Sequence, residues 1–512
     1  MSQKMVKSTS TVAIFTLLSR ILGFSRDIIL ASVFGAGGMF DAFVIAFKLP
    51  NFLRRLFGEG AFAQAFVPIL AEHRANQSPE AAQAFVDHIA GTLAGIVLLV
   101  VVLAEIIAPL LVMIFAPGFL QHPDRFQLAT QLIHILFPYL WLIVLTAFAG
   151  AVLNTCGIFA APAFTPILLN VAMIATALWF APHSENPIHT LAWGVIAGGI
   201  LQLLIQIPFL QKVNLMPRFK WGIRHDGVVR VMKRMLPALF GVSVAQISLL
   251  VDSMFASFLP KGSISWLYYS DRLIYFPLGI IGVAIATVVM PYLSRQYSEK
   301  SESDFSATLD WALRTVLFIG LPAAVGLFIL SAPILSTLIH YGKFTSYDVI
   351  MTSKSLSAFA VGLPAFMLIK ILASAFYSRQ NIKTPVKVGV YAMITNIILN
   401  AALIFPLKHA GLALATSLSS VLNAGLLWIL LSKNGIFHAG SQWRKATVQL
   451  ILANGVMGVL IAWMAGDVAP WLSWSVMIRA LHLAGILSAG IVSYIAMLWI
   501  MGLRLRHFRS PT

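Results

Sequence analysis

KLPNFLRRLFGEGAFAQAFVPIL, residues 48–70, decides the fold because its second half occurs twice in the chain. AFAQAFVPIL (Ala61–Leu70) returns as AIATVVMPYL (Ala284–Leu293), with alanine, proline and leucine in matching places. Further echoes stand at nearly the same separation: ASVFG (Ala31–Gly35) and ASFLP (Ala256–Pro260), MIFAPGF (Met113–Phe119) and LIHYGKF (Leu338–Phe344), and Pro162 and Pro385. Several echoes at one separation predict a duplicated segment.

The apolar character of the chain predicts what this segment builds. Of its 512 residues 59% are hydrophobic and 10% charged, and the mean hydropathy is +0.87. A soluble domain carries about 25% charged residues. A run of about 20 apolar residues crosses a hydrocarbon core of ~30 Å, and only helices satisfy their backbone amides within one such run. The sequence therefore predicts an all-α polytopic membrane protein.

We predict about fourteen transmembrane helices from the apolar runs. They are placed near residues 10–34, 40–70, 84–115, 128–154, 160–181, 188–210, 236–259, 264–293, 309–331, 347–377, 385–405, 410–432, 446–466 and 478–503. The repeat contains an even number of helices, so its two copies have the same orientation. Parallel repeats are a transporter architecture with the substrate site between them. The predicted domains are an N-lobe at 1–215, a C-lobe at 216–435 and two extra helices at 436–512, around a central cavity.

The net charge of +17 follows the predicted topology. Most Lys and Arg outside the helices fall in loops on one side, which places both termini in the cytoplasm. The basic surplus is therefore topological, and we expect no nucleic acid partner. The single cysteine, Cys156, excludes an intrachain disulfide and a thiolate metal cluster.

Some cations lie inside predicted helices, where each costs roughly 2.5–3.5 kcal/mol to insert. The set comprises Arg20, Arg26, Lys48, Arg54, Arg55, Arg272, Arg314, Lys354 and Lys370, of which Arg314 and Lys354 lie near helix ends and are expected to extend to the interface. Local pairing is one explanation, with Asp27 available to Arg20, Glu59 to Arg55, Asp271 to Arg272 and Asp41 to Lys48. The cations nevertheless outnumber the acids. Because Arg binds phosphate oxygens in a bidentate manner, the surplus predicts a phosphorylated, lipid-linked substrate.

Several motifs resemble the MurJ/MviN family over essentially the whole chain. They are SRILGFSRD (Ser19–Asp27), FGAG and DAF around Asp41, the segment 48–70, YYSDRL (Tyr268–Leu273) and FYSRQNIKTPVK (Phe376–Lys387). That family comprises lipid II flippases of peptidoglycan synthesis, within the multidrug/oligosaccharidyl-lipid/polysaccharide exporter superfamily. The resemblance implies a multi-pass protein of the bacterial cytoplasmic membrane, with about fourteen helices.

The resemblance also implies roles for individual residues. Arg20, Arg26, Arg54 and Arg272 are expected to line the central cavity and bind the substrate's pyrophosphate. A gate or charge network is expected at Asp41, Glu59, Arg55, Lys48, Asp271 and Ala31. The last two helices are expected to form a groove for the undecaprenyl tail.

A second polar group suggests a cation site. Asp252 is a lone acid in its helix, Asn396 and Asn400 share one helical face, and Thr416 follows. Their oxygens suit Na⁺, and the family resemblance adds the carbonyl of Leu412. Asn400 is neutral, which weakens the charge compensation. The alternative is polar packing between helices.

The leading hypothesis is a lipid II flippase that works by alternating access. It needs no cofactor, although Na⁺ or a proton on Asp252 is a candidate coupling ion. The alternative is a cation-coupled exporter of another polyprenyl-linked saccharide, or of drugs, on the same fold. An enzyme is not expected because catalytic acids are few and scattered. The expected partners are lipid II, membrane lipids and cell-wall synthesis proteins.

Overall fold

The computed structural model describes residues 3–55, 61–438, 440 and 442–503. All regular secondary structure in these ranges is helical, which confirms the predicted class. The α-helices are α1 Gln3–Phe34, α2 Gly38–Arg54, α3 Ala61–Asn76, α4 Pro79–Ile106, α5 Ala108–Phe115, α6 Pro123–Leu136, α7 Pro138–Thr155, α8 Ala160–Ala175, α9 Pro187–Leu204, α10 Ile207–Lys212, α11 Asp226–Ser257, α12 Ser263–Pro277, α13 Val283–Ser298, α14 Glu302–Ile329, α15 Ser331–Leu338, α16 Ser346–Ser378, α17 Lys383–Lys433, α18 Gln442–Ala465, α19 Val468–Ser473 and α20 Val476–Ile500.

Ten helical segments among the described residues are long and apolar enough to cross a membrane. The chain is therefore a multi-pass membrane protein, while the count of about fourteen stays a prediction. One segment, α17, contains two of the predicted helices. Lys408 has the left-handed φ of 51° inside α17 and separates the two predicted spans.

Two other predicted spans contain a break in the regular α-helix. Pro138 begins α7 directly after α6, and both helices lie within one apolar span. A π-helical turn at Leu278–Gly282 joins α12 to α13 in the same way. Such turns interrupt the regular hydrogen-bond ladder and are common at functional sites. The short α15 and α19 were not predicted, because neither is long enough to register as an apolar span.

Backbone packing divides the chain into two compact units, residues 1–262 and 263–512. In the first unit α1 packs on α8, α2 on α6 and α3 on α11. The unit boundary follows packing, whereas the predicted lobes follow the sequence repeat. The predicted domains at 1–215, 216–435 and 436–512 therefore stay a prediction.

In the second unit the long α16 packs on α12, α14 and α17, and α18 pairs with α20. Gly362 explains how closely α16 approaches α17. A Cβ at that glycine would lie 2.7 Å from the Cα of Ser417, and the hydroxyl of Ser417 donates to the carbonyl of Ala358 at 2.8 Å. Small residues with hydroxyl bonds are how membrane helices associate where lipid supplies no hydrophobic drive. A capping box between Thr345 and Asp348 begins α16.

Candidate functional site

Arg20 lies at the edge of an open cavity of about 530 Å³ in the first unit. The cavity is bounded by α1, α8 and the end of α7, and its polar lining includes Thr16, Ser19 and Asn154. Arg20 is exposed, and among the residues that the structure describes it makes no hydrogen bond or ion pair. Its guanidinium therefore keeps its donors available for a ligand.

Arg26 is buried two turns further along α1 and is held by protein groups. Its Nη2 donates to Oδ1 of Asp27 at 2.7 Å and its Nε donates to the same oxygen at 3.0 Å. Nη1 donates to Oδ1 of Asn170 at 3.0 Å, and Asn170 in turn donates to the carbonyl of Ser19 at 3.1 Å. This chain of bonds ties α1 to α8 just beside the cavity. The sequence predicts Asp27 as a partner of Arg20, whereas in the structure the ion pair described for Asp27 is with Arg26.

The cations of the segment 48–55 are half-buried on α2 and at its end. Lys48 donates to the hydroxyl of Ser253 on α11 at 2.8 Å. Arg54 donates to Oδ1 of Asn51, one turn before it, at 3.3 Å. Arg55 follows directly, and Glu59 lies outside the described residues. The pairing predicted between Arg55 and Glu59 therefore stays a prediction.

Asp41 is fully buried near the start of α2. Its Oδ2 accepts the backbone N–H of Gly262 at 2.7 Å. The cationic Arg125, at the start of α6, is buried nearby, with its Cζ 5.3 Å from the centre of the Phe119 ring. The Nε and Nη1 atoms of Arg125 have no hydrogen-bond partner among the described residues. Because Gly38 has no Cβ, the Arg125 side chain fits against α2.

Ala31 and Asp271 complete the predicted gate residues. Ala31 is fully buried in α1, where a larger side chain would have to displace its neighbours. Asp271 is half-buried on α12 next to Arg272. Arg272 lies over the ring of Tyr268, with Cζ 4.8 Å from its centre, and its Nη2 donates to the Tyr268 hydroxyl at 3.4 Å. Since Arg272 belongs to the second unit, its grouping with the arginines of the first stays a prediction.

The structure brings four of the five predicted cation ligands together on α17. Asn400 donates to Oδ1 of Asn396 at 3.2 Å, and Asn396 donates to Oγ1 of Thr416 at 3.2 Å. Thr416 donates to the carbonyl of Leu412 at 3.1 Å. These neutral oxygens suit Na⁺, and no cluster of three or more His, Cys, Asp or Glu occurs in the described part of the chain. Asp252 belongs to the other unit, so its membership of this set stays a prediction.

Comparison with known proteins identifies the family. The family model described as lipid II flippase MurJ matches residues 30–482. The "Probable lipid II flippase MurJ" of Vibrio cholerae serotype O1 is 45% identical over 518 residues, which cover 100% of this chain and 99% of that protein. This chain belongs to the lipid II flippase MurJ family. The lipid II flippase MurJ of Burkholderia cenocepacia is 41% identical, with 98% of each chain covered.

Solved structures agree with membership of the MurJ family. A structure of lipid II flippase MurJ in an inward closed conformation matches with a TM-score of 0.82 and 29% identity, covering 96% of this chain and 98% of that one. An inward-facing multidrug MATE transporter matches with a TM-score of 0.66 and 15% identity, covering 83% of this chain. The second match shows a shared fold alone. The resemblance drawn from the sequence motifs is confirmed.

Sequence reasoning about this MurJ family member missed the burial of Arg125. Arg125 follows shortly after Pro123, in a sequence context typical of an exposed loop, and no local pattern indicates that it is buried. The residue that could have indicated this burial is distant in the sequence: Gly38 of α2, against which the Arg125 side chain packs.

Proposed function

We propose that this chain is a lipid II flippase, which moves the polyprenyl-pyrophosphate-linked head group from the inner to the outer leaflet. One observation supports the chemistry most directly: Arg20 lines a cavity with no protein partner among the described residues. A guanidinium placed in this way suits a pyrophosphate, whose oxygens accept paired N–H donors. Membership of the MurJ family supports lipid II as the molecule that carries this pyrophosphate.

Each of the predicted site residues would have a separate role in the proposed transport cycle. Arg20 would bind the pyrophosphate while the lipid tail stays in the bilayer. Arg26, fixed by Asp27 and Asn170, would hold α1 against α8 beside the cavity. Arg54 and Arg272 would complete the anion site during alternating access, and Asp41 with its bond to Gly262 would belong to the outer gate.

The membrane potential supplies a direction for this transport. We infer that the protein lies in the bacterial cytoplasmic membrane with both termini in the cytoplasm, as the positive loops favour. An interior-negative potential then favours outward movement of an anion by about 2.3 kcal/mol per charge per 100 mV. No step of this cycle changes a covalent bond, so the chain is a transporter and not an enzyme. The last two helices would hold the tail, and cell-wall synthesis proteins would take up the product.

Depletion of the protein in its own host tests the proposal. Because the head group would remain on the cytoplasmic side, we expect lipid II to accumulate in the inner leaflet, inaccessible to a membrane-impermeant reagent. Purified protein in vesicles should in turn expose labelled lipid II to that reagent. Accumulation of a different polyprenyl-linked saccharide would favour the alternative exporter. Covalent conversion of lipid II by the purified chain would overturn transport as the function.

Cation coupling through the polar group on α17 is the second part of the proposal. Asn396, Asn400 and Thr416, with the carbonyl of Leu412, would hold Na⁺, and the ion would neutralise part of the local dipole charge. Asp252 would supply the compensating negative charge or, in its place, a proton site.

Replacing Asn396 with Leu tests this cation site without measuring transport. We expect NaCl to raise the melting temperature of the unsubstituted protein relative to choline chloride, because a ligand that binds only the folded state stabilises it. N396L should lose this difference. Thr395→Val, at the half-buried position next to Asn396, serves as the matched control. Equal melting temperatures in both salts for the unsubstituted protein would exclude Na⁺.

A further inference from the structure

The loop between α10 and α11, residues 213–225, is fastened along α4. Oδ1 of Asp87 accepts the backbone N–H of Arg218 at 2.9 Å, and the carbonyl of Asp87 accepts that of Lys220 at 3.2 Å. The Lys220 ammonium lies 3.6 Å from the other oxygen of the buried Asp87. The hydroxyl of Thr92 then accepts the N–H of Gly222 at 3.2 Å. These bonds fix the backbone of the loop and leave most of its side chains outside.

Two glycines on α4 allow the loop to lie this close. A Cβ on Gly91 would lie 2.3 Å from the carbonyl oxygen of Lys220, and one on Gly95 would lie 2.4 Å from the Trp221 ring. The chain then returns, and Gly222 contacts His88, about two turns before Gly95 on α4. Trp221 is therefore the furthest point that the loop reaches along α4.

This furthest point falls just inside the apolar part of α4. Asp87 and His88 are the last ionisable residues before the run from Ala90 to Ala104, in which Thr92 is the one polar side chain. Gly95 lies about 7.5 Å along the helix from Ala90, at 1.5 Å per residue. Trp is enriched at this depth because its apolar ring and its N–H suit the boundary between acyl chains and headgroups.

The outer face of the loop alternates apolar and basic side chains, all exposed. Phe219 is 58% exposed, Trp221 61% and Ile223 49%. Arg218 and Arg224 are exposed too, and their guanidiniums have no hydrogen-bond or ion-pair partner in the described part of the chain.

The one histidine of the loop, His225, adds little to this charge. His225 stacks on His88, with ring centres 4.6 Å apart. Burial, followed by the nearby His88, lowers the pKa of His225, so His225 stays neutral at pH 7. The positive charge that the loop presents outward is therefore that of its arginines.

We propose that residues 216–224 are a membrane-interface anchor that binds anionic phospholipids of the cytoplasmic leaflet. The side chains of Phe219, Trp221 and Ile223 enter the boundary between headgroups and acyl chains. Arg218 and Arg224 contact the lipid phosphates from the cytoplasmic side. Cations near an anionic surface each strengthen association about fivefold, and apolar side chains beside them add burial. The loop is rigid on its inner side through Asp87, so little ordering is required when lipid binds. This inference is independent of lipid II transport.

A fluorophore in the loop tests the anchor. Bimane is attached through I223C in a C156S background, and the full chain is reconstituted in phosphatidylcholine vesicles containing phosphatidylglycerol. Two vesicle preparations are compared. In one the phosphatidylcholine, and in the other the phosphatidylglycerol, carries a nitroxide near the headgroup end of its acyl chain, at the same mole fraction of labelled lipid. We expect quenching by both lipids because the loop is inserted, and at least twofold stronger quenching by the phosphatidylglycerol form. The excess should fall as salt is raised, since it is electrostatic.

Charge-neutral variants distinguish specific lipid contact from general burial. R218Q/R224Q should abolish the excess due to phosphatidylglycerol and keep the quenching by phosphatidylcholine. R444Q/K445Q, which removes the same charge from exposed positions at the start of α18, should leave the excess unchanged. Equal quenching by the two lipids overturns the proposal. So does quenching only by a water-soluble reagent, because that result would place residue 223 in water outside the bilayer. Because the salt titration uses unsubstituted arginines, it decides the question even if R218Q/R224Q fails to fold.

Discussion

Replacing Arg20 with Gln is expected to lower the rate of lipid II translocation about tenfold to a hundredfold. The estimate follows from losing one charge-assisted hydrogen bond to pyrophosphate, of about 1.5–3 kcal/mol. Arg20 is the cavity cation whose donors have no protein partner in the described residues, so the loss should fall on the substrate and not on folding. The measurement is the initial rate at which labelled lipid II becomes accessible in vesicles.

Two further variants make the Arg20 result specific. Arg20→Lys keeps the charge but not the fork of donors, so its rate should lie between those of Arg20→Gln and the unsubstituted protein. Arg230→Gln removes an arginine whose partner is the exposed Glu72, 2.8 Å away, and should leave the rate nearly unchanged. Unchanged translocation in Arg20→Gln, with lipid II binding intact, would remove Arg20 from the substrate site.

The helical architecture was predictable because membrane crossing imposes its own pattern. Apolar runs bounded by polar residues predicted the start of α8 and the end of α18 to within a residue or two, and the break at Lys408 between two runs in α17. The break at Pro138 was not predicted. Hydropathy measures how long a segment stays apolar, and a bent helix is as apolar as a straight one.

The site was predictable as a set of residues but not as a set of contacts. Arg20 and Arg26 look alike in the sequence, each a cation in one apolar helix, yet one lines a cavity and the other is buried. The difference comes from α8, whose Asn170 is in place to receive Arg26. Helical spacing favours Asp27 as the partner of Arg20, because residues seven apart lie on nearly the same face of a helix. Arg26 is a poorer candidate by this criterion, because adjacent side chains point about 100° apart. The long Arg26 side chain instead reaches back to its neighbour.

For Arg26 and Asp27 we therefore predict an effect on stability, whereas for Arg20 we predict an effect on translocation. Replacing Arg26 with Gln is expected to cost about 3–5 kcal/mol of unfolding free energy, because it removes a buried partner from a buried carboxylate. R26Q/D27N should recover much of that loss, since two neutral amides replace the charge pair. Unfolding in detergent, followed by helical signal, gives the free energies for a double-mutant cycle.

The same double variant separates the two roles that Arg26 can have. If Arg26 only fastens α1 to α8, R26Q/D27N should regain translocation along with stability. If Arg26 also contacts the pyrophosphate, stability should return while the rate stays low, because Gln cannot supply the charge-assisted bonds. Additive losses of unfolding free energy in the two single variants would contradict the pair itself. In that case Asn170 alone would be holding Arg26, and removal of Asn170 should then cost as much as removal of the arginine.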